Sequence, residues 1–333
     1  MSSDSASVTR RGFLKGTALA AGGLALATGA AAVAQEAPAL RVPTAVLGRT
    51  GIEVSRLGIG CAPFQRPHLT IDDVRATLFR GLELGVTYLD VAPNYGVRGN
   101  FSEEKMGPTI KEIRDKVFLV TKTEESTYDG VWKSLRLSME RMQTDHLDLV
   151  HLHNFGNESR FEDLTAVFGD QGAMGALREA RKQGVIRFIG ATGHLYPSRF
   201  HKALDTGEID VLMNAVNFVS QHVYDFESKV WARARLENVG LVAMKVLGGE
   251  AGGGKRFRIP QEHYEMAIRY SLSIPGCACS VIGCENIAEL EQAARVVAGS
   301  QPLSEEERVT LAKSGLELST TEGWPSAYGG PLT

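Results

Sequence analysis

One pattern recurs along the chain and restricts its fold more than any other. An amphipathic stretch stops at glycine and a short apolar run follows at once. It occurs at Leu82–Gly85 then Val86–Asp90, at Ala180–Gly184 then Val185–Gly190, at Leu236–Gly240 then Leu241–Val246, and at Tyr270–Gly276 then Cys279–Gly283. Glycine suits the position just past a helix because it takes a positive φ without a Cβ penalty. Apolar runs such as Val117-Phe118-Leu119-Val120 lack the alternation of a half-exposed strand and fit parallel strands covered on both faces. Eight candidate strands fall near 57–61, 87–91, 117–122, 147–153, 186–191, 211–216, 240–246 and 279–283. Between them, Ile71, Val74, Leu78 and Leu82 keep helical spacing behind a capping-box-like Thr70-Ile71-Asp72-Asp73. Val131, Leu135, Met139 and Met142 form a second stripe, and Ser304 with Glu307 caps a last helix expected to stop at Gly315. Strands alternating with helices predict a closed (β/α)8 TIM barrel or a large doubly wound sheet. The chain lacks the G-x-G-x-x-G turn of an open dinucleotide-binding sheet, which favours the barrel. No Pro/Ser/Gly-rich linker interrupts residues 35–333, so they read as a single domain.

Residues 1–34 are of another kind. Thr9-Arg10-Arg11-Gly12-Phe13-Leu14-Lys15 precedes a run of small and apolar residues from Gly16 to Val33, and Ala32-Val33-Ala34 is a small-x-small pattern before Gln35. A basic segment, an apolar segment and a small-residue site together describe a signal peptide. The Arg10-Arg11 pair with Phe13-Leu14 resembles the twin-arginine type, which carries folded proteins across the bacterial inner membrane. The expectation is a periplasmic or exported protein, cleaved near Ala34, with the twin-arginine export machinery as partner and no stable membrane anchor. A net charge of −3 gives no reason to expect nucleic acid or an anionic membrane as partner. Cys61, Cys277, Cys279 and Cys284 are too few for a disulfide scaffold and lack the paired C-x-x-C of structural zinc sites, so they read as small buried side chains.

Barrel enzymes work where strands end, at the C-terminal face. Three apolar runs here finish in ionisable residues: Val86–Leu89 in Asp90, Val117–Thr121 in Lys122, and Leu147–Leu152 in His153. An isolated buried charge costs several kcal/mol or shifts its pKa, so such residues need partners. Asp90 and Lys122 can supply each other. Tyr95 follows in the turn Ala92-Pro93-Asn94-Tyr95-Gly96 and can fold over the same mouth. A neighbouring Lys⁺ stabilises a phenolate and is expected to lower the pKa of Tyr95. His153 and Tyr95 can both hydrogen-bond a substrate carbonyl oxygen, which becomes an alkoxide on hydride transfer. Tyr95 then supplies the proton. No side chain supplies a hydride, so a nicotinamide cofactor is required.

These motifs resemble the aldo-keto reductases. Gly51-Ile52-Glu53-Val54-Ser55-Arg56-Leu57-Gly58-Ile59-Gly60 is similar to their opening hairpin and first strand. Leu89-Asp90-Val91-Ala92-Pro93-Asn94-Tyr95-Gly96 resembles their Asp…Tyr-Gly motif. Thr121-Lys122 resembles their lysine strand, and Leu147-Asp148-Leu149-Val150-His151-Leu152-His153 their histidine strand. The resemblance runs from about Leu47 to Ala298. It implies NAD(P)H-dependent reduction of an aldehyde or ketone to an alcohol, with Asp90, Tyr95, Lys122 and His153 as the catalytic set. It also implies NAD(P)H across the barrel mouth, bound from Gly60, Thr192, Asn214, Met244, Lys245, Leu247, Gly283, Cys284 and Gln292. NADP(H) is expected and NAD(H) is the alternative. Gly283 and Glu289 stand where NADPH-using members often carry Lys and Arg, and Glu289 repels a 2′-phosphate.

Two rival readings arise from the same residues. His151 and His153 point to one face of a strand, as in the H-x-H pair of metal-dependent hydrolases, with Lys122, His194 and Asp90 near enough to complete a site. A non-catalytic barrel that binds nucleotide is the other. In the reductase reading, His151 is a buried, hydrogen-bonded histidine. Phe64, Phe155 and Trp324 are candidate walls of a pocket for a small carbonyl substrate.

Overall fold

The computed structural model describes residues 40–250, 256–321 and 324. The chain separates into a unit of residues 1–39 and a unit of residues 40–333, and all described residues belong to the second. The signal-peptide expectation, with its cleavage near Ala34, lies outside the described residues. Among the described residues no helix is long and apolar enough to cross a membrane.

The second unit opens with a hairpin, β1 (Thr44–Val46) against β2 (Glu53–Ser55). There follow β3 (Leu57–Gly60), α1 (Ile71–Glu83), β4 (Tyr88–Asp90), α2 (Ser102–Ile113), β5 (Phe118–Thr123), α3 (Tyr128–Met142) and β6 (Leu147–Leu152). Next come α4 (Leu164–Phe168), α5 (Ala173–Lys182), β7 (Ile186–Gly193), α6 (Pro197–Asp205), β8 (Val211–Ala215), α7 (Ala232–Leu236) and β9 (Gly240–Met244). A second hairpin, β10 (Gly248–Glu250) with β11 (Arg256–Arg258), leads to α8 (Tyr264–Ser273), β12 (Cys277–Gly283), α9 (Ile287–Ala298) and α10 (Glu305–Ser319). Strands β3 to β9 and β12 are parallel and close on themselves, because β12 pairs with both β9 and β3. The expected (β/α)8 barrel is the observed fold.

Two apolar layers hold it. Tyr88, Phe118, Val120, Leu149, Met213, Val242 and Val281 fill the barrel together with Leu47 and Val54 from the first hairpin, which stoppers the end where the strands begin. Outside, Val74 and Leu78 of α1, Val131 and Leu135 of α3, and Leu177 of α5 join the core between strands and helices. Each fully buried aliphatic or aromatic side chain contributes on the order of 1.5–3 kcal/mol relative to exposure.

Local signals held where the backbone alone decides. The Thr70 hydroxyl accepts from Asp73 N at 3.1 Å while Asp73 Oδ2 accepts from Thr70 N at 2.8 Å. Ser304 and Glu307 repeat the arrangement at 3.1 and 2.8 Å. Gly85, Gly184 and Gly276 take positive φ, but in the third repeat Asn238 does so, not Gly240. Gly240 is needed for room: a Cβ there would lie 2.8 Å from Leu47 Cγ. The last helix does not stop at Gly315 but runs on to Ser319. Gly315 sits inside it because the helix presses on Phe218 O, 2.3 Å from where a Cβ would stand. Ile71 lies on the exposed side of α1, although Val74 and Leu78 are buried as expected.

One ionic cluster around a buried carboxylate ties strands β5, β6 and β7 together below the mouth. Asp148 of β6 is 3% exposed. It accepts from Leu119 N at 2.8 Å and pairs with Arg114 at 2.9 Å and Arg187 at 2.7 Å. Removing one partner of a buried pair strands the other charge. Asp148→Ala is expected to destabilise the fold by about 3–5 kcal/mol, read from urea denaturation midpoints.

Candidate active site

A closed parallel barrel brings every strand end to one rim. Asp90 is the last residue of β4, Lys122 lies one residue before the end of β5, and His153 follows β6 directly. The turn after β4 carries Tyr95, held by Tyr95 N to Ala92 O at 3.1 Å and Ser102 N to Tyr95 O at 2.9 Å. The four side chains meet. Lys122 Nζ donates to Asp90 Oδ1, Asp90 Oδ2 and Val91 O, each at 2.8 Å. It also lies 4.9 Å from the centroid of the Tyr95 ring. The His153 ring stands edge-on to Tyr95, with centroids 6.1 Å apart and an interplanar angle of 81°. His153 N donates to Thr123 O at 2.8 Å, which fixes its backbone to β5.

Lys122 and Asp90 are 1% and 3% exposed. Burial works against the Lys122 charge, but Asp90 and Tyr95 outweigh it and hold the ammonium protonated above its ordinary range. Burial also lifts the Asp90 carboxyl, against the pull of Lys122. Two 2.8 Å contacts from one ammonium are the geometry of an ion pair. The expectation for Tyr95 is corrected: burial raises its pKa above 10, and Lys122 offsets only part of the rise. Tyr95 is thus protonated in the resting site. His153 is pushed well below the ordinary imidazole range, by burial first and then by Lys122 and Lys245, so it is neutral.

Sequence reading missed the residue that stands behind His153. Glu124 follows β5, and its Oε1 lies 3.0 Å from His153 Nδ1. Asn94 Nδ2 donates to the same oxygen at 2.7 Å, and Arg160 pairs with the other.

His151 departs from expectation. It is fully buried, and among the described residues neither ring nitrogen has a hydrogen-bond partner. Burial, with Lys122 and His153, keeps it neutral. Gly190 of β7 pairs with it, and a Cβ there would lie 2.3 Å from His151 Nδ1. The H-x-H pair gathers no metal site: among the described residues no group of three or more metal-ligating side chains forms. Asp90 is taken by Lys122, and His194 Nδ1 lies 2.9 Å from Asn154 Oδ1.

Most residues proposed for the cofactor gather on the same rim. Gly60, Thr192, Asn214, Met244 and Gly283 lie at or near the ends of β3, β7, β8, β9 and β12. Thr192 and Asn214 are fully buried polar groups. Among the described residues Thr192 Oγ1 reaches only Met244 Sδ, at 3.7 Å, while Trp231 Nε1 donates to Asn214 Oδ1 at 3.0 Å. Lys245 follows with a φ of 57°, and its carbonyl accepts from Asn217 Nδ2 at 2.9 Å. Buried donors beside a lysine at the barrel rim fit a nicotinamide amide with its pyrophosphate. Leu247 is partly buried against the core. Two residues fit less well. Cys284 is buried in the apolar core, with Sγ directed at Ile282 O at 3.8 Å, and Gln292 is exposed on α9. The expected pocket walls are corrected: Phe64 and Phe155 are fully buried, and Trp324 packs on Phe257 at 5.0 Å. All four cysteines are free and buried.

Three neutral histidines make stability depend on pH. His151, His153 and His194 all have depressed pKa values, with burial the largest cause. The unfolded chain takes protons near pH 6.5 that the native state refuses, so stability is present above that pH and is lost below it. Each contributes up to about 1.4 kcal/mol per pH unit. Urea midpoints of the cofactor-free protein are expected to fall from pH 7 to 5, less steeply in His151→Leu; equal slopes would refute the assignment.

Comparison with known proteins agrees with this geometry. A model of the aldo/keto reductase family matches residues 56–264. L-galactose dehydrogenase of Arabidopsis thaliana is 24% identical over 321 residues, covering 86% of this chain and 98% of that protein. Pyridoxal 4-dehydrogenase of Microbacterium luteolum is 25% identical over 255 residues, covering 63% and 74%. Among solved structures, an aldo-keto reductase from Bacillus halodurans in its holo form superposes with a TM-score of 0.68 at 21% identity, covering 86% of this chain and all of that one. The chain belongs to the aldo/keto reductase family, a family of NAD(P)H-dependent oxidoreductases.

Proposed function

We propose that this chain reduces a small aldehyde or ketone to an alcohol, with Tyr95 as the proton donor. The observation that carries the reading is the buried Lys122–Asp90 pair set against the Tyr95 ring at the barrel mouth. A nicotinamide cofactor supplies the hydride when bound. Asp90 keeps Lys122 in place and charged. Lys122 lowers the cost of negative charge on the Tyr95 oxygen at the moment its proton leaves. Thr192 and Asn214 would hold the nicotinamide amide, Met244 would pack against the ring, and Lys245 would neutralise pyrophosphate charge.

A groove of about 610 Å³ opens between the loops after β5 and β6, lined by Ser126, Arg160 and Asp163 together with Ala166 and Val167, and none of Asp90, Tyr95, Lys122 and His153 lines it. The proposed substrate is a carbonyl compound that carries hydroxyl groups, in keeping with the names of the galactose and pyridoxal dehydrogenases among its relatives. NADP(H) is the proposed cofactor, with NAD(H) as the competing one. Glu289, where a 2′-phosphate partner is expected, instead accepts from Glu285 N at 2.8 Å and Asn286 Nδ2 at 3.2 Å at the start of α9. Export by the twin-arginine route, with cofactor loaded before passage, is part of the same reading. All of the protein remaining in the cytoplasmic fraction would refute it.

Tyr95→Phe is expected to lower turnover by about 10²–10⁴-fold while the cofactor dissociation constant stays unchanged. Full activity in that variant would overturn the mechanism, and cofactor binding without turnover in the wild type would favour a binding-only barrel. In fluorescence titrations, Glu289→Gln is expected to tighten NADPH by about two- to fivefold and leave NADH unmoved. Equal changes for both would remove Glu289 from cofactor choice.

A further inference from the structure

Tyr95 is carried by a turn that leaves β4 after Asp90 and reaches α2 at Ser102. The turn's internal bonds are all short-range: Tyr95 N to Ala92 O at 3.1 Å, Gly96 N to Asn94 O at 3.0 Å and Asn100 N to Val97 O at 2.8 Å. Gly96 and Gly99 take positive φ, and Val97 is exposed. A segment held by such bonds alone opens at little cost. A proton donor carried on it needs a grip from outside.

Arg141, the residue before the last of α3, supplies one on both sides of the tyrosine. Its Nη1 donates to Pro93 O at 2.9 Å, and its guanidinium carbon lies 3.7 Å from the centroid of the Phe101 ring. The side chain is only 13% exposed, so its charge needs an answer. Glu103 Oε2 gives one at 3.5 Å and Glu104 Oε1 another at 3.8 Å, both from the first turn of α2. Glu103 is fully buried and also accepts from Thr121 Oγ1 at 2.9 Å, on the residue before Lys122. Contacts therefore run from β5, beside the catalytic lysine, through Glu103 and Arg141 to the turn that holds the tyrosine. The helices leave this assembly little play: a Cβ at Gly107 of α2 would stand 2.2 Å from Arg141 O. A flat guanidinium suits the task, because it stacks on a ring while it donates in fixed directions.

We propose that Arg141 is a positioning residue that holds the 93–101 turn so that the Tyr95 hydroxyl stays at the barrel mouth beside Lys122. The proposal rests on the reductase reading for its kinetic consequence, and on the contacts alone for its structural one. Lys122 Nζ fixes the near end of the turn through Val91 O at 2.8 Å, and Arg141 fixes what lies beyond. Without Arg141 the Tyr95 ring is released from its place 4.9 Å from Lys122 Nζ. A donor misplaced by about 1 Å costs on the order of 10²-fold in rate.

The test reads hydrogen exchange of the full chain, and turnover of benzaldehyde with NADPH and NADH, in Arg141→Met and Arg141→Lys. In Arg141→Met, amides of residues 95–102 exchange about tenfold faster while those of β5 and β6 keep wild-type rates. Its kcat falls by about 10–100-fold with the cofactor dissociation constant unchanged. The solvent deuterium isotope effect on kcat rises, because proton transfer from a displaced tyrosine is slower. Arg141→Lys still donates to Pro93 O but cannot stack as a plane, and it recovers part of both losses. Partial unfolding would lower only the active fraction and leave the isotope effect unmoved. Unchanged exchange over 95–102 in Arg141→Met overturns the proposal, as does full turnover, or a loss of kcat with no rise in the isotope effect. If Arg141→Met does not fold, Phe101→Leu takes its place: it removes the stacked ring, is expected to speed the same exchange, and overturns the proposal if it does not. Faster exchange over 95–102 in a protein whose wild type oxidises neither nicotinamide would sink the reductase reading and leave the grip on the turn standing.

Discussion

Lys122 and Asp90 lie side by side in the wall of a closed barrel, almost wholly out of water. Each charge alone would cost several kcal/mol there, so neither is tolerable without the other. That mutual need constrains the surroundings. The two residues come from adjacent strands, β4 and β5, whose register pairs Asp90 with Val120 and so brings Lys122 just beyond it. The third lysine hydrogen goes to Val91 O, which ties the pair to the start of the turn that carries Tyr95. The ion pair thereby sets both the charge beside the phenol and the place of the phenol itself.

Burial then separates the roles of the groups around it. It raises the Tyr95 pKa against the pull of Lys122 and pushes His153 down into the neutral form. One low-dielectric environment thus makes a reluctant acid of the tyrosine and an uncharged partner of the histidine. A tyrosine that holds its proton at rest and yields it only to a developing alkoxide is better suited to general-acid work than one already ionised. Further in, the same environment holds His151 with both ring nitrogens unpaired, in space that only a glycine at residue 190 leaves open.

The fold was largely readable from the chain because its determinants are local. Thr70 with Asp73 and Ser304 with Glu307 cap their helices through atoms three residues apart. Where the reading failed, the cause lay far along the chain. Gly240 looked like a helix stop, but Leu47, from the opening hairpin, is what requires it. Gly315 looked like another stop, but Phe218 O is what it accommodates. The hairpin of β10 and β11 was not foreseen, since Gly248-Gly249 carries no periodicity. Phe64 and Phe155 were expected at the pocket and lie in the core, because hydrophobicity does not say which side of a rim a ring will choose.

By itself the sequence determined the eight-strand alternation, the order of Asp90, Tyr95, Lys122 and His153, and the arrival of Asp90, Lys122 and His153 at strand ends. Period and capping chemistry act over a few residues, and barrel closure sends all strand ends to one face. Only the tertiary structure decided what those four residues meet. It set burial against the Lys122 field at Tyr95, left the His151 ring nitrogens without a hydrogen-bond partner among the described residues, and put Glu124, Asn94 and Arg160 behind His153. Those outcomes depend on distances between residues remote in sequence and on how much water each site excludes, and neither quantity is carried by any single stretch of chain.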